Sequence, residues 1–235
     1  FAENFLSELV RGGHFPNNQI SLEKVDEIQA IIEKYVFVKK GRKESEDWIL
    51  AIAAVEIEEA LSLPRRERAL IELMADDLEK HIEIAARKND MAVDLAEGEK
   101  KLQTYVAVQK ALFKLDSSTI TYHILEKFYP DWKAPSRETL TYVSEHLGIL
   151  CANTKKILSH PYGEHFYRLA EKYDTPYLIV GDVLSEDIDR FEGTVGNPSE
   201  LEEEIREAYD RRHVKLRSRI QRAAFYSTLS VFLTK

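Results

Sequence analysis

Scarcity of turn residues restricts this chain more than any other feature: its 235 residues include nine glycines and seven prolines, where average usage would supply about 28 of the two together. A sandwich or barrel needs turn chemistry roughly every 8–12 residues, and this sequence cannot provide it. Long elements remain, and the spacing of apolar residues decides their type. After Ser21, which reads as an N-cap, Leu22, Val25, Ile28, Ile31, Ile32 and Tyr35 recur at helical intervals. Trp48 to Val55 is apolar on nearly all sides and predicts a central buried helix. Pro64 fits the first position of the next helix, with Ala69, Leu70, Leu73, Met74, Leu78 and Ile82 on one face.

Further along, a basic turn is expected at Lys39–Lys43 and a loop at Asn89–Met91. A helix follows from about Ala92 to Leu115, and Asp116 or Ser117 caps the next. Two prolines within Tyr129–Pro135 end helical structure there, so this stretch is the expected boundary between an N-terminal subdomain, 1–133, and a C-terminal one, 134–235, unless the chain forms one continuous domain. Ser136 begins a helix through Leu140, Val143, Leu147, Leu150, Thr154 and Leu158, Pro161 restarts one, and Thr175-Pro176 restarts another. Tyr177–Val180 suits helix or a short strand, and the spacing of Val183, Leu184, Ile188 and Phe191 favours helix. A loop is expected at Phe191–Pro198, and Ser199 then caps a last helix running at least to Arg222. The expected fold class is all-α, a bundle of about nine or ten helices.

Composition sets the surroundings. Hydrophobic residues at 44% and charged residues at 31% are values of a globular domain. The single cysteine, Cys151, can form neither an internal disulfide nor a thiolate metal cluster, which suits a reducing compartment. No apolar run approaches the ~20 residues of a membrane span. A chain that opens at Phe1 with no basic and apolar leader is expected to be a cytoplasmic piece without a signal peptide. The net charge of −8 repels phosphate and excludes nucleic acid as the expected partner.

Motifs remove several enzyme classes. The sequence holds no Walker A loop, no dinucleotide fingerprint, no nucleophile elbow and no His-Glu-x-x-His. No histidine has Glu three residues before it, which removes the di-iron bundle. In His160-Pro-Tyr-Gly-Glu-His165 the two histidines lie five apart and do not share a helix face, so a helix start with aromatics turned inward is the expected role. One carboxylate set has workable spacing: Glu56 and Glu59, then Glu72 and Asp76, each pair on one helix face. Over Ile49 to Ile84 this stretch resembles the all-α nucleotide pyrophosphohydrolases of the MazG type. Glu56 and Glu59 match that family's Glu-x-x-Glu, and Glu72 to Asp76 is one residue longer than its Glu-x-x-Asp. The resemblance implies a Mg²⁺ ion held by the four carboxylates and hydrolysis of a nucleotide.

The C-terminal segment carries the other functional reading. Glu200, Glu202, Glu203, Glu204, Glu207 and Asp210 precede Arg211, Arg212, Lys215, Arg217, Arg219 and Arg222, with no acid after Asp210. Ala223 to Thr234 then runs twelve residues without a charge. A basic block leading into an uncharged segment has the pattern of a junction at the cytoplasmic face of a membrane, and the rival expectation is a last core helix. The favoured function is a non-enzymatic helical scaffold or interaction domain without cofactor, the soluble part of a membrane-anchored protein in one form. Those six cations would face a protein partner or an anionic membrane. The alternative is the Mg²⁺-dependent pyrophosphohydrolase.

Overall fold

The computed structural model describes residues 1–14, 20–39, 46–82, 96–186 and 198–233. Among them are ten helices and no strand: α1 Ala2–Arg11, α2 Leu22–Lys39, α3 Glu46–Leu61, α4 Arg65–His81, α5 Glu97–Phe113, α6 Ser117–Phe128, α7 Arg137–Glu145, α8 Leu147–Leu158, α9 Gly163–Glu186 and α10 Pro198–Leu233. The fold is all-α, as the periodicity predicts. Of the turn expected at Lys39–Lys43 only Lys39 is described, as the last residue of α2, while the loop expected at Asn89–Met91 and most of the loop expected before Pro198 lie outside the described residues.

The chain forms two compact units, Phe1–Glu171 and Lys172–Lys235. In the first, α2 packs against α1, α3 and α7, α3 packs against α6, α4 pairs with α5, and α8 touches α5, α6 and α7. Its main core joins Ile28, Ile31 and Val38 of α2 to Ile49 and Ile52 of α3, Leu125 of α6, Val143 of α7 and Leu147 of α8. In the second unit Ile179 and Val183 of α9 pack with Ile205 of α10.

The division expected at 133/134 falls inside the first unit instead. Helix does stop between Phe128 and Arg137, but the break serves as a plug. Trp132 is completely buried, its ring edge-on to Tyr35 at 5.9 Å, and its indole N–H donates to the Tyr35 hydroxyl at 3.1 Å. Proline ended the helix and the indole then found the core. Capping worked as read at three starts, where Ser21 Oγ accepts from the Lys24 N–H at 3.2 Å, Asp116 Oδ1 from the Thr119 N–H at 2.8 Å and Ser136 Oγ from the Thr139 N–H at 3.1 Å.

Four local readings change. Pro64 precedes α4 as its N-cap residue rather than opening it. The buried stripe of α4 is Leu70, Ile71, Met74, Ala75 and Leu78, and Leu73 stands half exposed because the face turned to α5 is rotated by one residue. The helix expected from Ser136 to Leu158 divides at His146 into α7 and α8. Pro176 does not restart a helix: α9 continues through it. A proline there leaves the carbonyl four residues back without its helical donor, and Lys172 and Pro176 are both exposed, so water can meet that carbonyl.

Candidate functional site

Two places hold the residues that sequence singles out. The first is a cleft of about 800 Å³ between α2, α3, the α3–α4 connection, Tyr122 of α6 and Lys133–Pro135. Its floor is made of charged groups that belong to buried helical stripes. Lys34 lies three residues after Ile31, on the side of α2 that faces the core, and Glu56 and Glu59 share the buried side of α3 with Ile52 and Val55.

Each of these charges is matched. Lys34 Nζ donates to Glu56 Oε1 at 2.5 Å and to the Trp132 carbonyl at 2.8 Å, and the Tyr35 hydroxyl donates to Glu56 Oε2 at 2.7 Å. Burial pulls the Lys34 amine below its ordinary pKa, against the opposing pull of Glu56. It also pushes the Tyr35 hydroxyl well up, and the Glu56 carboxylate adds to that shift. Glu59 Oε1 meets His123 Nε2 at 2.7 Å, and Glu59 Oε2 accepts from Arg68. Gln109 presents its oxygen to His123 Nδ1 at 2.6 Å, an orientation fixed because its amide nitrogen donates to the Tyr105 carbonyl at 3.3 Å. Burial would raise Glu59, yet the hydrogen bond from His123 and the charge of Arg68 outweigh it and hold the carboxyl below its ordinary range. Arg68 reaches on to Glu126 at 2.5 Å, which also accepts from the Tyr122 hydroxyl at 3.1 Å.

This arrangement answers the carboxylate reading. Glu56 and Glu59 have every carboxylate oxygen engaged by a lysine, arginine, histidine or tyrosine side chain of the protein. Glu72 is exposed and paired with Lys127 at 2.9 Å, and Asp76 is exposed on α4. The four are not brought together, and among the described residues no three His, Cys, Asp or Glu side chains are placed to share a metal ion. Spacing on one helix face is the signal that marked Glu56 and Glu59; a charge falling on a core stripe could have marked Lys34 as well. Lys34, Arg68, Gln109 and His123 went unread because their partners lie on other helices, 22 residues away for Lys34 and 64 for His123.

His160 Nδ1 accepts from the Tyr162 N–H at 3.2 Å while Nε2 meets Glu99 at 2.8 Å, and His165 is exposed. Of the aromatics there Phe166 is buried, while Tyr162 and Tyr173 are exposed rather than turned inward. Cys151 is buried on α8.

The second place is α10. Over 36 residues it would extend about 54 Å. Arg211, Arg217 and Arg222 are exposed; Arg211 reaches Glu207 at 3.4 Å, and Arg222 Nε donates to the Ser218 carbonyl at 3.4 Å. Arg212, Lys215 and Arg219 belong to the same helix, their side chains outside the described set. Between and beyond the arginines Val214, Ile220, Phe225 and Tyr226 are each more than 60% exposed. Among the described residues no helix is long and apolar enough to cross a membrane. Compared with family models, curated proteins and solved structures, the chain matches none.

Proposed function

We propose that this chain is a non-enzymatic helical interaction domain whose recognition element is the basic half of α10. One observation carries the reading: a single helix presents exposed Arg211, Arg217 and Arg222 together with exposed Val214, Ile220, Phe225 and Tyr226. An exposed apolar set interspersed with cations suits an acidic surface, which screens the arginines from one another and covers the apolar side chains. Arg212, Lys215 and Arg219 belong to the same proposed surface.

The uncharged stretch after Arg222 favours the membrane form of this reading, in which a cytoplasmic domain lies against anionic lipid. Binding to phosphatidylserine-containing vesicles tests it. The triple change Arg211→Glu, Arg217→Glu, Arg222→Glu is expected to abolish binding while circular dichroism stays unchanged. No binding by the unaltered chain, or binding that survives the reversal, would remove the membrane form. A Mg²⁺-dependent pyrophosphohydrolase would need Glu56 and Glu59 freed from Lys34, His123 and Arg68. The expected result with nucleoside triphosphates and Mg²⁺ is no turnover above buffer.

A further inference from the structure

We propose that α10 pairs antiparallel with α10 of a second copy of this chain, the acidic half of each lying against the basic half of the other. The inference rests on α10 being the recognition element and names its partner. The helix is complementary to itself. From Glu200 to Asp210 it carries six acids and one arginine, and from Arg211 to Arg222 it carries six cations and no acid. The charges thus change sign at Asp210/Arg211, close to the middle of the charged stretch. An antiparallel copy sets opposite signs together along both halves, whereas a parallel copy would set acid on acid and base on base. Antiparallel helix dipoles favour the same arrangement.

Charge reaches solvent in both halves: Glu202, Glu203, Glu207 and Asp210 are exposed in the first, Arg211 and Arg217 in the second. Apolar contact is on offer as well, because Tyr209 and Val214, 50% and 65% exposed, flank the point where the sign changes, and Ile220 near the end of the basic half is 61% exposed. Within one copy some of these charges meet in spaced pairs, Glu202–Arg206 at 3.0 Å and Glu207–Arg211 at 3.4 Å. Such exposed pairs contribute little individually, and a second helix adds contacts between copies without breaking them.

Sedimentation equilibrium of the full 235-residue chain tests the pairing. The unaltered chain is expected to dimerise at about 0.05 M salt and to shift toward monomer at about 0.5 M, where screening shortens to a few ångströms. Glu203→Lys with Glu207→Lys, and separately Arg217→Glu with Arg222→Glu, should each give monomer with unchanged circular dichroism, and an equimolar mixture of the two variants should restore a dimer. A monomeric unaltered chain at every concentration, or a dimer indifferent to both reversals, would overturn the pairing. If that monomer still binds anionic vesicles through its arginines, the pairing fails alone; if it binds none, the reading of α10 fails with it.

Discussion

At the scale of single residues the structure turns on charges placed where apolar side chains belong. Lys34 and Glu56 face one another in the core at 2.5 Å with both side chains over 90% buried. Desolvation makes such a pair a weak source of net stability, but removing one partner strands the other. Lys34→Met is therefore expected to cost about 3–5 kcal/mol, read from the urea midpoint, and adding Glu56→Leu should recover most of that loss because the stranded carboxylate goes too. Glu59 sets a pH dependence. Its folded pKa is depressed, so the stability it contributes is complete above the unfolded value of about 4.3 and is lost as pH falls through the folded one. Between about pH 6 and about pH 3 the unaltered chain should lose stability more steeply than Glu59→Gln. Sequence showed that Glu56 and Glu59 share a face and left their partners hidden. Helical spacing is local, whereas Lys34 and His123 reach them only through the packing of α2 and α6 onto α3, and Arg68 by folding back from the start of α4.

At the scale of elements, helices were legible wherever apolar spacing and caps agreed. Asp116 and Ser136 cap as their side chains predict, and Asp116→Ala should cost about 1 kcal/mol of stability, measurable as a lowered melting temperature. Proline was harder to read. Pro130 and Pro135 do bracket a break between α6 and α7, yet Pro176 lies inside α9. What differs is tertiary context: α9 carries Ile179 and Val183 into a contact with Ile205 that rewards continuing the helix. Pro176→Ala should restore a donor to the Lys172 carbonyl and slow amide hydrogen exchange in that turn, with a gain of up to about 3 kcal/mol. Faster exchange there would mean that the ring itself holds the turn.

At the scale of the whole molecule, the all-α class followed from having few turn residues and many helical stripes, whereas the division of the chain did not. Composition marks Tyr129–Pro135 as a linker, but no linear feature reveals that Trp132 is the residue the core needs. The division after Glu171 falls within a helix, where sequence offers no punctuation. Charge is distributed differently in the two units: in the first Lys34, Glu56, Glu59 and Arg68 meet in pairs inside the bundle, whereas α10 of the second carries exposed arginines and exposed apolar side chains on one helix. The central claim is that recognition belongs to α10 and not to the cleft. Its most direct test compares binding to phosphatidylserine vesicles by the unaltered chain, by the triple variant Arg211→Glu, Arg217→Glu, Arg222→Glu, and by Lys24→Glu with Arg65→Glu, two cations that line the cleft. The account predicts loss of binding in the α10 variant alone; loss in the cleft variant with the α10 variant unaffected would contradict it.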